Sequence, residues 1–209
     1  MTRSGKYKVK DPAIDEKHGI LKNKLGITEK EKLDSVETEY LVKTYDKASR
    51  DYSDDHVFTA KDISDLNKLF LGDIYEWAGK WRTVDLSSEE IRYCHAAYIP
   101  TNIQVFSEDL LSKVTPFTPD LQKSVILERL AKIHGELIVI HPFRDGNGRT
   151  TRLLCDLLLM QAGYRPMRIV SFYNEDFLKR YHRAIQLVWH SKDYSALIKL
   201  FESLIVKPE

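Results

Sequence analysis

Twelve residues, His141 to Arg152, read HPFRDGNGRTTR. They hold one imidazole, one carboxylate, two glycines, one Asn and three arginines, and an apolar helical run follows at once: Leu153, Leu154, Leu157, Leu158. A polar, Gly-containing turn that opens a helix suits an anion. The first helical N–H groups have no internal partner, and the helix dipole adds partial positive charge there. Gly146 and Gly148 permit positive φ and close approach of backbone to a ligand. Asn147 tolerates unusual φ and offers an amide. Arg149 and Arg152 are three apart, so a helix places them on one face, aimed at the same phosphates. Asp145 is the one carboxylate and suits Mg²⁺, which takes one or two protein carboxylates plus substrate phosphate oxygens. His141, just upstream, can take a proton from a hydroxyl near neutral pH. Together these residues predict a nucleotide-phosphate site with its own base and its own metal ligand. The GxxxxGK[ST] loop is absent, which excludes the P-loop class.

The elements that position this stretch follow from apolar spacing. Pro119 stands at a helix start, and Ile126, Leu130, Ile133 and Leu137 then mark a long buried helix that delivers the chain to His141. Pro142 stiffens the turn, and Phe143 anchors it in the core. A second central helix runs from Leu153 to Met160 and closes near Gly163. Upstream, Thr28 with Glu31 predicts a capping box and a helix to about Tyr45, with a weak stripe at Leu33, Val36, Tyr40 and Val42. Thr59 with Asp62 caps the next helix, where Ile63, Leu66, Leu69, Phe70, Ile74 and Trp77 recur until Gly79. Residues 80–99 alternate apolar and polar around an SSEE turn and predict a β-hairpin with faces at Trp81, Val84, Leu86, Ile91 and Tyr93. Ile103, Phe106, Leu110 and Leu111 predict a helix ended before Pro116. Glu175–Trp189 and Tyr194–Ile205 complete the helices. His95 and His134 read as structural, and Asp54-Asp55 as a solvated turn. Strand content is confined to the hairpin, so the fold class is mainly α: a helical bundle with one β-hairpin.

The chain has 209 residues, 43% of them hydrophobic and 30% charged, which fits one globular domain with a sizeable core. An arm at about residues 1–20 precedes a core at about 55–190. Net charge is +1, which gives no steering toward nucleic acid or a membrane surface. Only the first ten residues are lopsided, with Arg3, Lys6, Lys8 and Lys10 and no acid; they read as a solvated tail. The two cysteines, Cys94 and Cys155, stand far apart and predict a reduced compartment. No signal peptide and no long apolar run appear, so a soluble, cytosolic protein is expected, in its own cell or in a host cell.

HPFRDGNGR resembles the signature of the Fic family, H-P-F-x-D/E-G-N-G/K-R, and Arg152 completes its longer form. ILKNKLGIT, residues 20–28, resembles a segment before the core of Fic proteins of the cell-filamentation type. The resemblance covers roughly residues 20–205. It implies a helical Fic fold and an enzyme, a protein adenylyltransferase that moves AMP from ATP to a Ser, Thr or Tyr hydroxyl of a target protein. It implies His141 as general base, Asp145 holding Mg²⁺ on the α- and β-phosphates, and Gly146, Asn147 and Gly148 as an anion hole, with Asn147 adding its side chain. Arg149 would neutralise the β-phosphate and the leaving pyrophosphate, and Arg152 would reach the γ-phosphate. Kinases of the same superfamily carry Lys where this chain has Gly148, which favours AMP transfer over phosphate transfer. The hairpin would be a flap, with Val84, Asp85, Leu86, Ile91, Arg92 and Tyr93 docking a target segment by strand addition. Tyr181 matches the Tyr that lines the adenine pocket of relatives; seven residues on, where those carry Asn, stands Val188. The alternatives are transfer of another nucleotide or of phosphate by the same site, or a nucleotide-binding docking module without catalysis.

Many Fic proteins are held off by a glutamate that pairs with the second motif arginine, here Arg152, from a helix reading S/T-x-x-x-E-G/N. Ser35–Glu39 comes nearest, but Tyr40 follows it. Ser124–Glu128 and Ser171–Glu175 are followed by Arg129 and Asp176. The resemblance thus implies a separate antitoxin-like protein that supplies the glutamate, with Ser35–Glu39 as the alternative.

Overall fold

The computed structural model describes residues 13–88, 91–167 and 174–206. Two short strands, β1 (Ile14–Asp15) and β2 (Ile20–Leu21), precede α1 (Lys30–Asp51) and α2 (Ala60–Leu71). Then come α3 (Ile99–Phe106), α4 (Lys123–Ile140), α5 (Asn147–Gln161), α6 (Glu175–Ser191) and α7 (Ser195–Glu202). A 3₁₀ turn, Ala96–Tyr98, leads into α3, and a π-type turn, Ser107–Leu111, carries it on to a last helical turn, Ser112–Val114. The architecture is mainly α, as expected. No helix among the described residues is long and apolar enough to cross a membrane.

Helices α4 and α5 form the centre. Ile126, Leu130, Ala131 and Ile133 of α4 and Leu153, Leu154, Leu158 and Leu159 of α5 are wholly buried. Each such Leu or Ile contributes about 1.5–3 kcal/mol relative to exposure. The two helices are joined by the short loop that holds the motif, so the packing of the core fixes where that loop sits.

Several boundaries differ from the sequence expectation. The arm is not featureless: β1 and β2 pair antiparallel, Ile14 with Leu21 and Asp15 with Ile20. Ile20 and Leu21 pack with Leu33, Phe70, Leu71, Ile74 and Tyr75. Two-residue strands are too short to show a period. The basic residues 3–10 lie outside the described residues. α1 begins after Glu29 without a side-chain cap and runs to Asp51, past Tyr45. Exposed (i, i+4) pairs, Lys43–Glu39 and Lys47–Asp51, lie along its length. The Thr59 N–H does donate to Asp62, at 2.8 Å, as the capping-box reading requires. Yet α2 ends at Leu71, short of Trp77. Ile74 and Tyr75 stay buried through tight turns, so helical spacing survived where the helix did not. Gly79 closes this segment at φ 73°.

The named strands lie in the arm, and the expected hairpin is narrower than its alternation suggested. It comes down to one antiparallel bridge, Ser87 with Arg92, flanked by Tyr93 N–H to Leu86 O at 3.2 Å and Ser88 N–H to Ile91 O at 2.9 Å. Its Glu89–Glu90 tip lies outside the described residues.

Candidate active site

His141 caps the C-terminus of α4 in the left-handed conformation, φ 52° and ψ 59°. Its ring is buried. Nδ1 lies 3.1 Å from the Ile138 carbonyl, which can only accept, so Nδ1 carries the proton and the basic lone pair is on Nε2. The Tyr93 ring stacks on the imidazole at 3.8 Å and 18°, and burial pushes the Tyr93 hydroxyl's pKa up, which keeps it protonated. Asp54-Asp55 stays away from the site, with Asp55 on Ser53. His95 meets exposed Asp85 at 3.0 Å.

The loop after His141 is closed by its own side chains. Phe143 is buried beside Trp81, 5.1 Å between rings. Asn147 accepts from the Phe143 N–H and donates to the Phe143 carbonyl, both at 2.8 Å. The amide oxygen and one of the two N–H donors of Nδ2 are thus engaged inside the loop. These bonds fix the amide against the loop backbone and leave its second N–H for the ligand role the resemblance implies. Asp145 accepts from the Gly146 N–H at 2.5 Å. Gly146 has φ 79°, and a Cβ there would lie 2.7 Å from Leu71 Cδ1, so only glycine fits. A Cβ on Gly148 would meet only Arg152 Nη1, at 3.3 Å, so glycine here leaves space rather than relieving the backbone.

The N-terminus of α5 is pinned from outside the motif. Wholly buried Asn67 donates to the Thr150 hydroxyl at 3.1 Å and accepts from the Gly79 N–H at 2.8 Å. Arg149 stacks over Phe70, pairs with buried Glu37 of α1, and brings Nη2 to 3.7 Å from Asp145 Oδ1. Arg152 brings Nη1 beside Gly148, and its charge also acts on Tyr45, His134, Cys155 and Asp156.

Beneath α5 lies a buried polar set. His134 is fully buried, and Nε2 meets the Tyr181 hydroxyl at 2.8 Å. Burial and the Arg152 charge lower its pKa to about 3, so the ring is neutral. Asp156 accepts from the Tyr45 hydroxyl and the Met167 N–H, at 2.7 and 2.8 Å, and burial raises its pKa to about 6. Tyr181 therefore turns its hydroxyl toward the core, and only its ring is left for a base. Val188 is core as well: a Cβ on Gly135 would sit 3.1 Å from it. Asn in its place would be buried against α4.

Sequence reading missed Arg82. Its buried guanidinium donates from Nε to the His141 carbonyl at 2.7 Å and from Nη1 to Val84 O at 2.6 Å, and Nη2 reaches the Cys94 and Ile140 carbonyls. A cation at the C-terminal carbonyls of α4 is favoured by the helix dipole. One side chain thus ties both flap strands to the residue that carries the imidazole. Of the six expected flap residues, Leu86 and Ile91 are buried and Tyr93 lies on His141, while Val84, Asp85 and Arg92 frame the outside.

A buried Gly-containing loop, a tautomerically fixed imidazole before it and arginines on the following helix form one constellation, and the profile of the Fic/DOC family matches residues 57–159. The chain carries a Fic/DOC family domain. It is 30% identical over 155 residues to protein adenylyltransferase VbhT of Bartonella schoenbuchensis, covering 74% of this chain and 32% of VbhT. It is 29% identical over 156 residues to the probable protein adenylyltransferase Fic of Escherichia coli, covering 75% of this chain and 76% of that protein. Its fold is similar to that of the Bartonella tribocorum BepC protein with bound AMPPNP, at TM-score 0.72 and 22% identity, over 90% of this chain and 93% of BepC. The chain thus spans about a third of VbhT and three quarters of E. coli Fic.

Proposed function

We propose that this Fic domain is a protein adenylyltransferase that uses ATP. The observation that carries the reading is the fixed His141 tautomer beside the Gly146–Gly148 loop at the start of α5. A target hydroxyl oxygen attacks the α-phosphorus and the bond to the β-bridging oxygen breaks. The hydroxyl proton passes to His141 Nε2, and pyrophosphate leaves. The backbone N–H groups of Asn147 and Gly148 hold phosphate oxygens, while that of Gly146 stays on Asp145 and Gly146 lets the chain turn beneath them. Arg149 takes the β-phosphate, and Arg152 reaches toward the γ-phosphate. Such transfer needs mainly positioning and charge neutralisation. The ring of Tyr181 flanks the base.

Asp145 would hold Mg²⁺. No group of three His, Cys, Asp or Glu gathers among the described residues, and one carboxylate beside an anion loop fits an ion coordinated mainly by substrate phosphates and water. Bound there, the ion would supply charge neutralisation on the phosphates.

The flap would dock the target. In a bridge of this kind the N–H and C=O of Ser87 and Arg92 point to opposite outer edges. The Arg92 carbonyl accepts from Trp189 Nε1 at 2.9 Å, and the Cys94 N–H donates to Val139 O at 3.3 Å, so that edge lies against helices. The edge at Asp85 and Ser87, beside Val84, whose carbonyl is taken by Arg82, is the one we assign to an added strand.

We further read residues 1–209 as one domain with a short N-terminal arm, working in a cytoplasm, its own or a host's. A separate antitoxin-like partner would supply an inhibitory glutamate toward Arg152. Glu39 favours that reading, because it lies on the exposed face of α1 with Lys43, 2.6 Å away. Incubating a cell lysate with the protein and ATP should yield peptides heavier by one AMP on a hydroxyl residue, as read by mass spectrometry. Peptides gaining phosphate, or nothing, would defeat the reading.

A further inference from the structure

Glu37 lies within α1, twenty residues before the matched family profile begins, and is fully buried. Its Oε1 accepts from the Tyr75 hydroxyl and its Oε2 from Arg149 Nη1. Arg149 is held on two further sides. Its guanidinium lies 4.8 Å from the centroid of the Phe70 ring, and Nη2 is 3.7 Å from Asp145 Oδ1. A chain of alternating charge thus runs from α1 through Arg149 to the carboxylate of the motif loop.

The burial decides what Glu37 does. A carboxylate left in the interior without its partner is strongly disfavoured, so Glu37 does not release Arg149 when a phosphate arrives. Nor does the pair use up the arginine. Guanidinium has five donors in a rigid fork, and one bond to Oε2 leaves the others. What the pair removes is freedom: a long, flexible side chain that must be ordered on binding loses affinity, and one already ordered does not. Glu37 holds Nη1 while Nη2 stays 3.7 Å from Asp145 Oδ1, so the two carboxylates take different arms of one fork.

We propose that Glu37 is a positioning residue for nucleotide binding and transfer, holding the Arg149 fork in its phosphate-facing orientation. The inference rests on the reading of Arg149 as a ligand of the β-phosphate. It makes α1, outside the matched profile, part of the nucleotide machinery.

The test compares the full wild-type chain with E37Q and with Tyr75→Phe, which keeps the ion pair but removes the hydroxyl that holds the carboxylate. Three quantities are read: the Kd of a non-hydrolysable ATP analogue by calorimetry, KM and kcat for AMP transfer, and Tm. E37Q should weaken analogue binding and raise the KM for ATP by about 10- to 100-fold, as misplaced positioning groups do, with a smaller loss of kcat. Tyr75→Phe should shift both in the same direction by less. Unchanged Kd and KM with a lowered Tm would make Glu37 a brace of the fold alone. Increased transfer would make it an inhibitor. Either overturns the proposal. If E37Q does not fold, Tyr75→Phe decides: a raised KM supports the proposal and an unchanged one overturns it. Should the wild-type chain bind the analogue but transfer no AMP, the proposed activity falls while the change in Kd still decides the role of Glu37.

Discussion

In the loop after His141, Asn147 closes on Phe143 with both amide atoms, Asp145 closes on Gly146, and Asn67 pins Thr150 from another helix. In the flap, among the described residues, two backbone bonds flank a bridge, and exposed Asp85 meets His95 and the Ala96 N–H. The loop is closed by its own neighbours, whereas the flap is tied along one side only, by Arg82, by Trp189 and Val139, and by the Tyr93–His141 stack, and its Asp85–Ser87 side is open to an added strand. The difference matches the two tasks proposed for them. Phosphate chemistry depends on donors fixed within fractions of an ångström, whereas a peptide added by main-chain bonds needs an edge that is open and tolerant of sequence.

The sharpest way to break this division is Arg82→Ala, because Arg82 serves both regions. The change strands the carbonyls of His141, Val84 and Cys94, at a cost of about 2–4 kcal/mol. That corresponds to a fall in Tm of about 4–16 °C for a chain of this size. AMP transfer should drop about 100-fold, since the His141 backbone and the flap both lose their hold. Arg82→Lys keeps the charge but not the fork, and should recover stability better than activity. Equal recovery of both, by thermal melts and initial rates, would show that Arg82 supplies charge and not geometry.

A smaller effect separates the regions. Ser87→Pro removes an outward N–H of the flap without touching the two bonds that flank the bridge. Loss of one main-chain bond to the target is about 1 kcal/mol, so target labelling should fall about five-fold while nucleotide affinity is unchanged. Unaltered target labelling would remove this edge from docking.

The smallest effect probes the packing beneath the loop. His134 is buried with its pKa lowered to about 3. Between about pH 6.5 and that value the unfolded chain binds a proton that the folded chain does not, so this group's contribution to stability falls as pH falls. Asp156, raised to about 6, acts in the opposite sense over the upper part of that window. Comparing wild type with His134→Gln cancels the Asp156 contribution. From about pH 7 to about pH 5, wild type should lose about 1–2 kcal/mol relative to the variant, read as a Tm difference that shrinks or reverses. A difference independent of pH would mean that the ring is already charged or reaches solvent.

The reacting centre was legible because it is contiguous: His141, Asp145 and the two glycines stand within eight residues, and turn chemistry is local. The central helices were legible from apolar spacing. Arg82, Asn67 and Glu37 were not, because each acts on a partner 59 to 112 residues away, and no local period reports that. α1 did hold a trace: its buried positions are Leu33, Glu37, Thr44 and Ala48, and the stripe looked weak because a carboxylate occupies one of them. A charged residue on the buried stripe of a helix asks for a buried partner. Tyr181 and Asn147 were legible as positions, but their bonding to His134 and to Phe143 was not.

The central claim is that His141 removes a hydroxyl proton while AMP, not phosphate, is transferred. The most direct measurement offers the wild-type chain and His141→Ala ATP labelled at the α- or at the γ-phosphate, together with a lysate, and reads label on protein and nucleotide affinity side by side. The account predicts α-label and no γ-label with wild type. His141→Ala should bind nucleotide as before but transfer about 100- to 10,000-fold more slowly. Protein labelled from the γ-phosphate, or α-label undiminished in His141→Ala, would contradict it.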